Sequence, residues 1–127
     1  MINLTSFKFL EGKYVVLGAV DKNSIPNIVA VELNKVIIPD KILITDNFFN
    51  KTKVNLKNNP YISISFWTKK PLSGHQFKGK AKYFLKGKYS NLLKRLNPGL
   101  PCKGYVLITI TEIWDLANPK LLCSSKT

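Results

Sequence analysis

Short strand-like runs separated by turn signals recur along this chain, and they constrain its fold more than any other feature. Six segments have the composition and alternation of strands: KYVVLGAV (13–20), IPNIVAVEL (25–33), ILITD (42–46), YISISFW (61–67), GHQFKGKAKYFL (74–85) and GYVLITITEIW (104–114). NKVII (34–38) continues or re-aims the second of them. Many short strands in a small chain favour a closed or partly closed barrel, because closure removes exposed edges.

Two short helices are predicted between these strands. One begins after Asn50 and ends at NLKNNP, because proline cannot continue a helix and disfavours helix at the preceding residue. The other carries an apolar stripe at helical spacing before NPGLP, formed by Tyr89, Leu92, Leu93 and Leu96. A first turn of helix is expected near Thr5. So few crossover helices make a doubly wound sheet a poor fit, and a mainly β (α+β) fold is predicted.

Length and composition predict one domain over residues 1–127. No apolar run approaches the roughly 18 residues of a membrane span, and the first residues lack a signal-peptide core, so we expect a cytoplasmic protein without a membrane segment. Cys102 and Cys123 lack CxxC spacing and His75 is the only histidine, so a structural zinc site lacks ligands. Both thiols are expected to be reduced.

The net charge of +13 is concentrated in one part of the chain. Residues 1–46 hold five lysines and five acids, and residues 112–127 hold two of each. Residues 47–111 hold twelve lysines, one arginine and no acid. This excess is consistent with a lysine-rich composition whose side chains are merely solvated, and equally with a bound phosphate or a nucleic-acid surface.

The segment NFFNKT (47–52) places a lysine at the start of the first predicted helix. With Asn50 as N-cap, Lys51 and Thr52 fall in the first turn, where the helix dipole disfavours a positive charge. A phosphate would resolve this conflict, because first-turn N–H groups, the Thr52 hydroxyl and the Lys51 ammonium could converge on it. A solvated lysine on an exposed turn is the alternative, and in both cases the two residues are expected at the surface.

Four motifs resemble the pyridoxamine 5'-phosphate oxidase-related, FMN-binding split-barrel family over roughly residues 12–114. They are a strand ending in TDN (45–47), NKT (50–52) at a helix start, NLxxNP (55–60) at its end, and the strand start Gln76–Gly79. The resemblance implies a six-stranded antiparallel split β-barrel with short flanking helices. It also implies a homodimer with one FMN in each of two grooves at the subunit interface.

The family pattern also implies site residues for FMN. The phosphate would be bound by Lys51 and Thr52 with Asn50 beside them, and Gln76 and Lys78 would reach the flavin from across the groove. Trp67 and Trp114 are candidates for the groove wall, although tryptophans at strand ends also serve as core or dimer contacts. The residues expected along the isoalloxazine are Asn27, Val29, Ala30, Val31, Thr45, Asp46 and Asn47.

One departure from the family pattern concerns the substrate. Enzymes that make pyridoxal phosphate carry an arginine and a histidine after an E-x-W start, whereas here Glu112, Ile113 and Trp114 are followed by DLANPKLLCSSKT. Vitamin B6 oxidation is therefore disfavoured, and the chain resembles the short, minimal members of the family.

Three functions remain open from the sequence. The first is an oxidoreductase that uses FMN for hydride or electron transfer with a small-molecule donor or substrate. The second is a flavin-binding electron carrier or sensor, and the third, less favoured, is a single-stranded nucleic-acid-binding barrel with Phe77, Tyr83 and Phe84 as stacking residues. No catalytic residue is evident. His75 is either a proton donor or a surface residue.

Overall fold

The computed structural model describes residues 1–125; Lys126 and Thr127, the last two residues of the predicted domain, lie outside the described part of the chain. The strand pairings among the described residues are antiparallel. In chain order the elements are a 3-10 helix Thr5–Leu10, β1 Tyr14–Val20, β2 Pro26–Glu32, β3 Lys35–Ile37, β4 Lys41–Asp46, α1 Lys51–Asn58, β5 Tyr61–Thr68, β6 Ser73–Phe84, α2 Ser90–Leu96, β7 Gly104–Asp115 and β8 Lys120–Ser124.

The sheet curls into a split barrel because its two end strands are consecutive in the chain. Its strand order is β2-β1-β5-β6-β7-β4-β3, and only Leu33 and Asn34 separate β2 from β3. At this bend Leu33 N–H donates to the Lys13 carbonyl at one end of the sheet, and Asn34 N–H donates to the Leu43 carbonyl at the other. Counting β2 and β3 as one bent strand gives the six-stranded barrel that was predicted, so that prediction is confirmed.

The final strand, β8, was not predicted. It pairs with Glu112–Asp115 in the second half of β7, whereas β4 pairs with Gly104–Thr109 in the first half of that strand. The sequence KLLCS of β8 contains no β-branched residue and three of its side chains are exposed, so local propensity gave no signal for it. Its pairing is therefore determined by the free edge of β7.

Alternating strand residues form the main core. Leu17, Ile64, Phe77 and Ile108 are each at most 1% exposed inside the barrel. A smaller cluster of Leu43, Leu93 and Tyr105 joins α2 to the outside of the sheet. β4 is consequently buried on both faces, which explains why five of its six residues are buried.

Within residues 1–125, no helix is long and apolar enough to cross a membrane. Both cysteines are free thiols, as expected. The described residues also contain no cluster of metal-ligating side chains.

Candidate functional site

A groove with a volume of about 490 Å³ lies between β2 on one side and the β4–α1 connection on the other. We call it the first groove. It is lined by Tyr14, Asn27, Val29, Ala30, Val31, Glu32, Asn34, Thr45, Asn47, Phe48, Phe49, Asn50, Lys51, Thr52, Asn97 and Leu100. Nine of the fourteen predicted site residues are among them.

The N-terminus of α1 closes one end of this groove. Asn50 is the N-cap residue as predicted, but its side chain makes no capping hydrogen bond, so it leaves first-turn N–H groups free. Lys51 is exposed, whereas Thr52 is only 2% exposed, which differs from the expected surface position. The first turn contains no acid. The end of the groove therefore combines a helix N-terminus, an ammonium and a hydroxyl, the usual groups of an anion site.

The wall opposite α1 is the free edge of β2. Among the described residues β2 pairs only with β1, so backbone N–H and C=O groups along its second edge are unpaired. Asn27 Nδ2 donates to Thr52 Oγ1 at 3.5 Å, a long hydrogen bond that joins this edge to α1. The edge can thus offer alternating donors and acceptors to a ligand that lies along it.

Amide side chains form a hydrogen-bonded network in the lining of the groove. Asn34 Oδ1 accepts the Thr45 N–H at 2.8 Å, and Asn97 Nδ2 donates to Thr45 Oγ1 at 3.0 Å. Asn47 Nδ2 donates to Asn97 Oδ1 at 3.2 Å. Asn34, Thr45 and Asn97 are buried, and these mutual hydrogen bonds fix their positions.

Asp46 does not line the groove, in contrast to the expectation. Its carboxylate is fully buried, where Oδ2 accepts a hydrogen bond from the Tyr83 hydroxyl and Oδ1 accepts the Phe49 N–H at 2.9 Å. The Lys103 ammonium lies 3.8 Å from Oδ1 and donates to the Phe49 carbonyl at 3.2 Å. Because strand residues alternate, Thr45 and Asn47 face the groove while Asp46 faces away and anchors the 47–50 loop.

The environment of Tyr83 supports this anchoring role. Burial, the hydrogen bond to Asp46 and the negative charge of that carboxylate all raise the pKa of Tyr83 well above its usual value. Gly104 is needed beside it, because a Cβ at that position would collide with the Tyr83 hydroxyl. The phenol therefore stays protonated and keeps donating to Asp46.

Gln76, Lys78 and Trp114 lie outside the first groove, on the outside of the sheet. Lys78 Nζ lies 5.5 Å from the centre of the Trp114 ring, and Trp114 Nε1 donates to Glu112 at 2.8 Å. They belong to two rows of cross-strand neighbours, which we call the outer face: Ala30, Val16, Ser65, Gln76 and Trp114 in one row, and Ile28, Gly18, Ser63, Lys78 and Glu112 in the other.

Trp67 lines a second groove, of about 470 Å³, where β1 and β5 diverge. These strands pair only over Val16–Gly18 and Ser63–Ser65. Three aromatic side chains on this groove are largely exposed: Phe9 at 57%, Trp67 at 63% and Tyr14 at 73%. His75 is half-buried there, with its ring stacked on Phe66 at 5.6 Å, so it is a packed residue rather than a free surface one.

The aromatic residues that suggested nucleic-acid binding are not free platforms. Phe77 is fully buried in the barrel, the ammonium groups of Lys53 and Lys57 lie over the Tyr83 ring at 5.2 and 5.8 Å, and Phe84 stacks on Tyr105 at 5.1 Å. Base stacking needs an accessible ring face, so these three residues do not support that function.

Several groove residues were not anticipated from the sequence. Tyr14 and Glu32 are cross-strand partners at the groove, and Asn97 comes from the end of α2, about fifty residues away in sequence from Asn47. The NP pair at 97–98 was a signal only for the end of a helix. Long-range packing, which no local pattern encodes, brings these residues together.

Comparison with known proteins gives consistent matches over most of the chain. The family model described as pyridoxamine 5'-phosphate oxidase matches residues 7–116. An uncharacterized protein of Methanocaldococcus jannaschii is 37% identical over 117 residues, covering 87% of this chain and 78% of that protein.

Two crystal structures show the same fold. HupZ of Group A Streptococcus has a TM-score of 0.84 at 22% identity, with 97% of this chain and all of that chain covered. An FMN-binding protein of Syntrophomonas wolfei has a TM-score of 0.75 at 20% identity, with 94% and 84% covered.

Proposed function

Because this chain belongs to the pyridoxamine 5'-phosphate oxidase family, we propose that it is a flavoprotein that binds FMN in the first groove and acts as an oxidoreductase. Bound FMN supplies hydride or single-electron transfer. The similarity in fold to the FMN-binding protein of Syntrophomonas wolfei supports the choice of cofactor. The observation that carries the proposal is the anion-binding end of a groove whose long wall is an unpaired strand edge.

The residues present fit the phosphate of FMN. Lys51 supplies a charge and Thr52 a hydroxyl beside uncapped N–H groups of α1, which together match a doubly charged group. Asn27 on β2 makes a long hydrogen bond to the Thr52 hydroxyl, so both sides of the groove meet at the proposed phosphate position. The groove volume of about 490 Å³ is within the range of cofactor pockets.

The residues along β2 fit a flavin ring. Val29, Ala30 and Val31 offer apolar contact, and the free edge of the same strand offers backbone donors and acceptors for the polar side of the ring. Gln76, Lys78 and Trp114 lie outside the first groove and would add contacts only from a second copy of the chain. Residues 115–127, which correspond to the family's substrate-binding segment, contain no arginine or histidine, so a substrate other than pyridoxamine 5'-phosphate is proposed.

The absorption spectrum of the purified protein tests the cofactor. We expect the absorption band of oxidised flavin at about 450 nm. Denaturation should release FMN, which mass spectrometry identifies. Rapid reduction by NADH or NADPH supports an oxidoreductase, whereas a bound flavin that only a partner protein reduces makes the chain an electron carrier. A colourless protein that binds oligonucleotides with a steep salt dependence would reject the proposal.

We further propose a homodimer formed through the outer face. Its centre is made of small residues, Gly18, Ser63 and Ser65, which permit close approach, and Ile28 at its edge is 69% exposed. Ser63 Oγ is buried without a hydrogen-bond partner among the described residues. A two-fold arrangement would place Gln76 of the partner subunit near the first groove. We also propose a cytoplasmic location, which is consistent with two free thiols.

A further inference from the structure

The two ends of the first groove carry side chains of opposite charge. Lys51 lies at the α1 end, next to Thr52, which contacts Asn27 at the start of β2. Glu32 lines the groove at the other end of the same strand, five residues from Asn27. At about 3.4 Å per residue, the two ends are roughly 17 Å apart, comparable with the length of an extended FMN.

Glu32 is held in place but keeps one oxygen free. Asn34 Nδ2 donates to Glu32 Oε2 at 2.8 Å, and Asn34 is itself fixed by the Thr45 N–H. Among the described residues, Oε1 of Glu32 accepts no hydrogen bond and no cation lies within ion-pair distance. The side chain is only half-buried, so it remains accessible from the groove.

The other acids of the chain have different roles. Glu11, Asp40 and Asp46 face Lys35, Lys41 and Lys103 respectively. The other three accept hydrogen bonds outside the first groove: Asp21 from the Asn23 and Ile25 N–H groups, Glu112 from Trp114 Nε1 and Asp115 from the Asn118 N–H. Glu32 is the one acid that lines the first groove, in a protein whose net charge is +13. The unpaired oxygen of this carboxylate, Oε1, favours a ligand group that donates hydrogen bonds or carries positive charge.

From this geometry we propose that Glu32 is a specificity-determining residue that selects a cationic or hydrogen-bond-donating substrate at the ring end of the groove and rejects phosphorylated ones. This proposal rests on the proposed function, because FMN with its phosphate at Lys51 would extend toward Glu32. The Oε1 atom then accepts a hydrogen bond from an ammonium or a protonated nitrogen heterocycle. A phosphate at the same place would meet like charge and would be disfavoured.

Binding of two oxidised dyes to the oxidised FMN-loaded protein tests this selectivity without turnover. Thionine is a planar cation that carries amino N–H donors, and 2,6-dichlorophenolindophenol is a planar anion at neutral pH. We expect Glu32→Gln to lower the ratio of cation to anion affinity by about tenfold, the effect of one charge-assisted hydrogen bond, and Glu32→Lys to reverse the preference. Glu32→Gln keeps an oxygen to accept the Asn34 bond, so the loop should keep its position.

Asp40→Asn is the matched control, since it changes the net charge equally at a carboxylate outside the groove. If Asp40→Asn changed the ratio of dye affinities as much as Glu32→Gln does, the effect would come from overall charge. That result would overturn the proposal. A loss of FMN affinity in Glu32→Gln with an unchanged dye ratio would also overturn it, because Glu32 would then contact the cofactor. Were the protein to contain no flavin, the proposed function would fail separately, and the same titrations on the flavin-free groove would still decide the role of Glu32.

Discussion

The two grooves of this molecule have nearly the same volume, about 490 and 470 Å³, yet they offer different chemistry. Each is lined by one lysine and at least one threonine: Lys51 and Thr52 in the first, Lys13 and Thr68 in the second. In the first groove these groups meet at a helix N-terminus. In the second, the Thr68 hydroxyl already donates to the Pro71 carbonyl at 2.7 Å, and exposed aromatic rings form the walls.

The two grooves share a lysine, a threonine and nearly the same volume, but they differ in how their polar groups are arranged. The arrangement therefore indicates which groove can bind a phosphate. A phosphate needs several donors that converge on one point, and the first groove provides them from backbone and side chains together. The second groove provides a large apolar surface, and its threonine hydroxyl is already engaged by the Pro71 carbonyl. The first groove, and not the second, is therefore the one that fits the proposed FMN site.

Replacement of both phosphate-site residues should produce the largest effect. The double variant Lys51→Ala and Thr52→Ala loses a charge-assisted contact and a hydroxyl contact, which should weaken FMN binding by about 2–4 kcal/mol. Riboflavin, which lacks the phosphate, should bind equally to both proteins. Fluorescence titration of each flavin measures the difference, and the unfolding midpoint should be recorded because Thr52 is buried.

The second groove supplies a control of the same composition. Lys13→Ala with Thr68→Ala removes a lysine and a threonine and should leave FMN affinity unchanged. If this pair weakened FMN as much as the first pair, the contrast between the grooves would disappear. Unchanged affinity after the Lys51 and Thr52 replacements would reject the phosphate site itself.

The sequence predicted the barrel, both α-helices and the family, and these predictions are confirmed. It predicted less of the site, because strand alternation decides which way a side chain points only once the register is known. Asp46 follows Thr45 in the TDN motif yet points away from the groove, toward Tyr83, which is 37 residues further along the chain. Glu32 and Asn97 were missed for the same reason, since their roles depend on distant partners.

Removal of the Tyr83 hydroxyl should have an intermediate effect, on the stability of the fold and on the loop beside the first groove. Tyr83→Phe leaves a buried Asp46 oxygen without its donor, which should lower the free energy of unfolding by about 1–3 kcal/mol and loosen the 47–50 loop. Urea unfolding measures the first effect, and hydrogen exchange of residues 47–50 measures the second. Tyr61→Phe, at a residue that is 59% exposed, is the control.

The difference in unfolding free energy between the unsubstituted protein and Tyr83→Phe should also depend on pH. The pKa of Tyr83 is raised in the folded state, so its contribution is fully present below the usual tyrosine pKa of about 10. Above that pH the unfolded chain releases the proton first, and the stability advantage over Tyr83→Phe should shrink as the pH rises. An advantage that grew with pH would contradict the assigned hydrogen bond to Asp46.

The smallest effect on flavin binding is expected from disruption of the outer face. Ile28→Lys places a charge at the edge of the proposed dimer interface, so the mass measured by sedimentation should fall from dimer to monomer. The first groove would then lose a hydrogen bond from Gln76 of the partner subunit, which should weaken FMN binding by about 1 kcal/mol. Ile38→Lys is the matched control, because that isoleucine is 42% exposed but lies outside the outer face. A monomer with full FMN affinity would show that the first groove is complete within one chain, whereas a dimer that survives Ile28→Lys would move the interface elsewhere, with the second groove as the next surface to substitute.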